Sequence, residues 1–409
     1  MNSMMLVTLS GPKSIDLLTA MGELADTYSA ILKDIQQTRT STRHSLHVLF
    51  EITVTDNASN DYHRLFGGLS AAITAYANDN ECLVKVDSVT PNDVTRSAQP
   101  ACRLLLIGQS VSVADIAAVH QVAKTFGLMF ETVQWLSDRV VNAVDASIVN
   151  SPTVVECLSS LVPDDVLTLR QALLQLSSDL QLDIHFQENT YDSRHRRLVC
   201  FDMDSTLIDA EVIDELAKEI GLGEQVAAIT ESAMRGDIAF NESFRQRMAL
   251  LEGLDEAVLA SIAERLELNP GVEKLLANLN KQGYKTAILS GGFDYFGRYL
   301  QSKLGVDYVY ANTLDIVGGR VTGKVNGDIV NGERKAELLK FLAEKEGLSL
   351  SQVVAVGDGA NDLPMLGLAG MGVAFRAKPK VKAAAEFNVS FSGLDSILYL
   401  MGFNVVDIE

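Results

Sequence analysis

Three short apolar runs, each ending in a polar or acidic cluster, restrict what this chain can fold into. Leu198-Val-Cys-Phe201 leads into Asp202-Met-Asp204-Ser-Thr206, and Ala287-Ile-Leu289 leads into Ser290-Gly-Gly292. Val353-Val-Ala-Val356 leads into Gly357-Asp358-Gly-Ala-Asn361-Asp362. Runs this short and this apolar suit strands buried on both faces of a parallel sheet. Helical patterns alternate with them. In one, Pro270 stands at the start, Val272, Leu275, Leu276 and Leu279 share a face, and Gly283 follows the end. The rhythm predicts an α/β domain. Ligands of open parallel sheets bind beyond the carboxyl ends of the strands. Asp202, Asp204, Ser290, Asp358 and Asp362 are therefore expected around one crevice.

Carboxylates gathered in one pocket repel and raise each other's pKa unless a cation is present. Oxygen ligands with bound water suit Mg²⁺. Magnesium beside an anionic aspartate suits phosphoryl transfer, because the metal neutralises the phosphate that the carboxylate attacks. A second aspartate two residues on is placed to protonate the leaving oxygen and then activate water. Asp202 and Asp204 have that spacing. Ser290 also reads as a cap for the helix after it.

The chain has 409 residues, which at about 150 residues per domain predicts two to three domains. The first 190 residues repeat one pattern of strand, helix, two strands, helix and strand. In the first copy Met4–Leu9 is a strand and Ile15, Leu18 and Met21 recur at helical spacing. Leu46, Val48, Phe50 and Ile52 alternate, Tyr62, Leu65, Phe66, Leu69 and Ile73 form a helix stripe, and Cys82–Val86 closes the unit. The second copy runs through Cys102–Ile107, a helix with Ile116, Val119 and Ala123, strands Leu128–Trp135 and Thr153–Leu158, helix Val166–Leu176, and the alternating Leu182, Ile184 and Phe186. Two such units predict two α+β ferredoxin-like sandwiches. Ser88–Pro100 and Glu188–Arg197 read as linkers, the second a solvated basic run.

The net charge is −19, so the average field repels nucleic acid and anionic membranes. No signal peptide and no membrane span are expected. Cys82, Cys102, Cys157 and Cys200 lie far apart and read as buried thiols of a reducing cytosol. No cysteine carries the spacing of a cysteine-dependent phosphatase, and all six histidines precede Arg196, so no histidine nucleophile serves the α/β part. Gly318–Lys324 spells most of a phosphate-binding loop, but Val325 replaces the required hydroxyl residue. Val309–Ile329 is expected to form a hairpin lying on the core.

The four motifs Asp202-Met-Asp204-Ser-Thr-Leu, Ser290, Lys335 and Gly357-Asp358-Gly-Ala-Asn361-Asp362 resemble, in order, those of the haloacid dehalogenase-like hydrolases. Asp209-Ala-Glu211, Met234-Arg-Gly-Asp-Ile-Ala-Phe240, Arg247 and Ser290-Gly-Gly-Phe293 are similar to the phosphoserine phosphatase branch. The resemblance implies a Rossmann-like parallel-sheet core over residues 196–409 with a small helical cap near 209–268. It implies that Asp202 is the nucleophile and Asp204 the general acid and base. Ser290, the Gly291 amide and Lys335 would hold the phosphate, and Asn361, also among the substrate-binding residues, would support the metal shell and the phosphate lysine. Asp202, Asp204 through its backbone carbonyl, and Asp358 would bind Mg²⁺, with Asp362 in support. Glu211 would meet the ammonium of phosphoserine and Arg247 its carboxylate, with Met234 and Phe240 lining the pocket.

A cytoplasmic enzyme of serine synthesis is the reading this implies. The alternatives are a phosphatase or phosphotransferase for another small phosphomonoester, and a catalytically silent amino-acid sensor. The two sandwiches, residues 1–88 and 101–188, resemble ACT regulatory domains, which implies a homodimer and an amino-acid effector. Gly11 and Gly108 stand in the first β–α turns, but no acid follows either.

Overall fold

A computed structural model of the chain describes residues 3–12, 17–28, 30–39, 43–52, 59–89, 100–137, 152–189, 195–235, 237–404 and 407–408. Ile15, residues 90–99 and 190–194, and the side chains of Met4, Leu18, Ile52, Tyr62 and Met234 lie outside this description. The chain divides into two compact units, Met1–Ala98 and Gln99–Glu409.

In the first unit, apolar alternation becomes a half-buried sheet. Its elements are β1 (Ser3–Pro12), α1 (Leu17–Thr27), β2 (Ala30–Arg39), β3 (Arg43–Ile52), α2 (Ser59–Asp79) and β4 (Leu83–Val89). The antiparallel order is β2-β3-β1-β4. Met5, Val7 and Leu9 pack with Leu46, Val48 and Phe50 beneath Leu69 and Ile73 of α2. The period of two puts these residues on one face.

The second unit begins with the same ferredoxin-like topology. It comprises β5 (Cys102–Gly108), α3 (Val113–Thr125), β6 (Thr132–Trp135), β7 (Thr153–Ser159), α4 (Val166–Leu180) and β8 (Asp183–Glu188), ordered β6-β7-β5-β8. The strand expected from Leu128 starts only at Thr132. In both copies the glycine of the first β–α turn has a packing reason. A Cβ on Gly11 would stand 2.3 Å from Cys82 Sγ, and one on Gly108 would stand 2.2 Å from Leu182 Cδ2. Each partner immediately precedes the last strand of its sandwich.

A seven-stranded sheet follows. Its elements are β9 (Leu198–Phe201), α5 (Val212–Glu219), α6 (Gly223–Arg235), α7 (Phe240–Ala249), α8 (Ala257–Arg265), α9 (Val272–Lys281), β10 (Lys285–Phe293) and α10 (Asp294–Leu304). Then come β11 (Tyr308–Val317), β12 (Arg320–Asn326), α11 (Gly332–Lys345), β13 (Val353–Gly357), α12 (Leu363–Leu368), β14 (Met371–Phe375), α13 (Pro379–Ala384), β15 (Phe387–Val389) and α14 (Ser396–Leu400). The order is β12-β11-β10-β9-β13-β14-β15, parallel except for β12. Val199 and Phe201 pack on one face with Ile288, Val354 and Val356, while Leu198 and Cys200 pack on the other with Ala287, Leu289, Val353 and Ala355. That two-sided burial is why these strands read as unbroken apolar runs.

The β11–β12 hairpin forms and packs Leu314 and Val321 into the core, as expected; beyond that expectation, β11 pairs in parallel with β10 and so extends the sheet. In the basic run, Arg196 is buried, whereas Arg197 is exposed and stacks over the Tyr284 ring. All four cysteines are buried thiols outside any disulfide. Among the described residues no helix is long and apolar enough to cross a membrane.

Candidate active site

The strand order turns at β9, between β10 and β13, so the crevice at their carboxyl ends is where a ligand of this sheet belongs. β9 stops at Phe201 and delivers Asp202 at that point. Asp202 Oδ1 accepts a hydrogen bond from the Met203 amide at 2.7 Å, and its Oδ2 lies 2.8 Å from Lys335 Nζ. Lys335, entirely buried in the first turn of α11, also donates to Asp362 Oδ1 at 2.7 Å. Asp362 Oδ2 accepts from the amides of Asp358 at 3.1 Å and Gly359 at 2.9 Å. Asp362 thus shapes the loop after β13 and turns the Asp358 side chain toward the crevice. A Cβ on Gly357 would stand 2.5 Å from Asp362 Oδ2, so glycine is needed there for close approach rather than for an unusual φ.

Ser290 ends the apolar part of β10. It does not cap the following helix: Phe293 occupies the N-cap of α10, and Ser290 Oγ accepts from the Gly292 amide at 2.9 Å. Gly291 is clipped by Asn312 of β11, whose Nδ2 donates to the Gly291 carbonyl at 2.8 Å and whose Oδ1 accepts from Val330 N at 2.8 Å. Phe240, at the start of the cap helix α7, faces the same loop, since a Cβ on Gly291 would stand 3.4 Å from its ring. Asn361 sits beside Gly359 at the crevice edge, and its carbonyl crowds Gly332 of α11.

Asp204 Oδ1 accepts from the Val212 amide at 3.3 Å, which ties the general-acid candidate to the first cap helix. Ser205 takes a left-handed φ of 54°, a strained conformation for serine, and its Oγ donates to Glu211 Oε1 at 2.9 Å. Glu211 stands at the N-cap position of α5 without capping it. Inward-facing residues of that helix are Val212, Ile213, Leu216 and Ala217, whereas Ile220 at its C-cap is exposed. Arg247, in the last turn of α7, donates to Thr230 Oγ1 of α6 at 3.4 Å.

Electrostatics unite these groups. Burial, then Asp362, push the Asp202 carboxyl up, with Lys335 opposing. Burial, Glu211 and Asp202 push Asp204 up. Burial and Asp362 push Asp358 up to about 7. Glu211 is raised by burial, with the Ser205 hydrogen bond and the Arg247 guanidinium opposing. Burial lowers Arg247, while Glu211, Asp214 and Asp204 oppose that shift. Asp214 of α5 is a neighbour of Arg247 that sequence reading missed. Thr206 stands beside Asp358, with its Oγ1 3.5 Å from Asp358 Oδ1 and its carbonyl held by Asn269 Nδ2 at 3.0 Å. Among the described residues the carboxylates of Asp202, Asp358 and Asp362 form a group within 4.8 Å that fits a metal ion. A separate cleft of about 680 Å³, lined by Asn241, Arg245, Lys324, Asn331 and Arg334 among others, does not include these carboxylates.

Residues 199–367 match the haloacid dehalogenase-like hydrolase family. The chain is 45% identical over 249 residues to the phosphoserine phosphatase of Archaeoglobus fulgidus, covering 60% of this chain and 72% of that one. It is 33% identical over 407 residues to the phosphoserine phosphatase SerB2 of Mycobacterium tuberculosis, covering 99% of this chain and 94% of that one. A solved structure of a probable phosphoserine phosphatase from Vibrio cholerae superposes with a TM-score of 0.60 at 33% identity, over 77% of this chain and 90% of that one. Sequence match and shared fold agree with the carboxylate–lysine geometry at the head of β9, and the chain belongs to the phosphoserine phosphatase family of haloacid dehalogenase-like hydrolases.

Proposed function

We infer that the chain hydrolyses O-phospho-L-serine to L-serine and phosphate through an aspartyl-phosphate on Asp202. The observation that carries this reading is the Asp202–Lys335–Asp362 cluster at the end of the central strand, beneath a cap that offers Glu211 and Arg247. In the first step an Asp202 oxygen bonds to phosphorus and the serine oxygen leaves, taking the proton that Asp204 carries. Burial, which raises Asp204, supports its holding that proton. In the second step Asp204 takes a proton from water, the water oxygen bonds to phosphorus, and Asp202 is released. Lys335, Ser290 and the Gly291 amide hold the phosphate, with Asn361 supporting the metal shell and that lysine. Glu211 faces the ammonium and Arg247 the carboxylate, while Phe240 lines the pocket.

Four carboxylates, Asp202, Asp204, Asp358 and Asp362, gather at one buried ammonium, a donor set that suits a hard divalent cation. Asp362 is committed to Lys335 and two amides, so Asp202, Asp358 and the Asp204 carbonyl are the proposed Mg²⁺ ligands. When bound, Mg²⁺ would neutralise the phosphate against which the anionic Asp202 moves. We assign the two ferredoxin-like sandwiches as ACT-like modules that form a homodimer and offer a place for an amino-acid effector, in a cytoplasmic enzyme.

Phosphate release from L-phosphoserine, phosphothreonine, glycerol phosphate and an aryl phosphate, with and without Mg²⁺, tests the assignment. A large Mg²⁺-dependent preference for phosphoserine, abolished by Asp202→Asn, is expected. Equal turnover of all four rejects the serine pocket and favours a general phosphomonoesterase. No turnover of any favours a silent sensor.

A further inference from the structure

Two buried hydrogen-bonding groups on α7 have no partner: the Ser243 hydroxyl and the Arg247 Nε. Ser243 is only 1% exposed. Buried polar groups are rarely left unpaired without a reason. A helical serine commonly turns its hydroxyl back to the carbonyl four residues earlier. Here the Ala239 carbonyl receives the Ser243 amide at 2.9 Å, while the hydroxyl makes no such bond.

The helix decides where this hydroxyl stands. Ser243 lies three residues after Phe240 and four before Arg247, so the three side chains share one face. Phe240 marks that face as the one over the phosphate loop, because its ring abuts Gly291. Arg247 marks it as the one toward Glu211 and Asp204, whose charges act on its guanidinium. Two unsatisfied donors one turn apart, on the pocket face of the cap, match the two oxygens of a carboxylate.

We propose that Ser243 is a specificity-determining residue, whose hydroxyl joins Arg247 Nε in seating the α-carboxylate of the substrate. This rests on the phosphoserine reading above and adds a residue to its pocket. Phosphoethanolamine, which keeps the ammonium and the phosphate but lacks the carboxylate, is the probe. The ratio of kcat/KM for phosphoserine to that for phosphoethanolamine is measured in the full-length chain and in Ser243→Ala. A hydrogen bond to a charged group corresponds to a factor of about ten or more, so the ratio should fall about tenfold in the variant. A loss shared equally by both substrates would give Ser243 a purely structural role and overturn the proposal, as would an unchanged ratio. If the unaltered chain already fails to prefer phosphoserine, the substrate reading falls as well, which separates the two failures.

Discussion

A lysine is seldom found without exposed surface, because burying its ammonium is costly unless it is paired. Lys335 is paired twice, with Asp202 and Asp362, at 2.8 and 2.7 Å. The two carboxylates hold its pKa high despite its burial, so it stays protonated. The same contacts orient Asp202 and fix the loop that carries Asp358. Removing one partner of a buried ion cluster costs more than removing a matched pair, since it leaves charge without an answer. Lys335→Met should therefore lower unfolding stability by about 3 kcal/mol or more. Adding Asp362→Asn, which removes one of the carboxylates left behind, should recover a large part of that loss. Denaturant midpoints of the single and double variants check this, and equal midpoints would show that the two residues do not act together.

Glycines at the strand ends set how closely the elements meet. A Cβ on Gly292 would stand 2.6 Å from Asp204 Oδ2, 2.8 Å from Met203 Cε and 3.2 Å from Ser290 Oγ. All three atoms are side-chain ends that can swing away, so Gly292→Ala should fold with little loss of stability. Two of them belong to proposed catalytic and phosphate-binding groups, and displacement by about 1 Å can cost on the order of a hundredfold in rate. Phosphoserine turnover beside a thermal melt separates these outcomes; a large drop in melting temperature with unchanged turnover per folded molecule would contradict the argument. Much of this level was legible in the sequence. The runs ending at Phe201, Leu289 and Val356 gave the three central strands, and their polar sequels gave the residues that the crevice gathers. The alternation of Leu46, Val48 and Phe50 gave a strand of the first sandwich. What escaped were short polar residues whose partners are distant in sequence, such as Asn312 holding Gly291 and Asn269 holding Thr206. Periodicity reports which face a residue occupies, not which loop its amide will reach. The β11–β12 hairpin was legible as a hairpin, but its parallel pairing with β10 was not, because local turn chemistry does not specify a neighbour across the sheet.

At the scale of the second unit, the sandwich and the phosphatase core share a seam. Leu104 and Leu106 of β5 pack inside the sandwich, whereas Leu105 and Ile107, with Val154 of β7, join the core of the phosphatase sheet. A strand covered on both faces loses its alternation, which is why Leu104-Leu-Leu-Ile107 is continuous while β1 alternates in burial. Asp183 clamps the seam. Its carboxylate accepts from the amides of Ser390, Phe391 and Ser392 and from the Ser392 hydroxyl, the last at 2.5 Å. Arg103 reaches the Leu400 carbonyl at 2.9 Å, and the His185 ring lies 6.0 Å from that of Phe387. The clamped loop continues to Leu394, whose amide donates to Pro270 O beside Asn269, and so approaches the loop of Asp202. His185 makes this seam acid-sensitive. Burial lowers its pKa from 6.5 to about 4, with Asp183 opposing and Arg103 reinforcing. Between those values the unfolded chain binds a proton that the folded chain does not, so stability falls as pH drops through that window and is undisturbed above it. The full effect is about 3 kcal/mol. His185→Leu cannot take up that proton, so its stability should decline less steeply than that of the unaltered chain from pH 6.5 to 4.5. Denaturant midpoints across that range provide the comparison; parallel declines would place the acid sensitivity in groups other than His185.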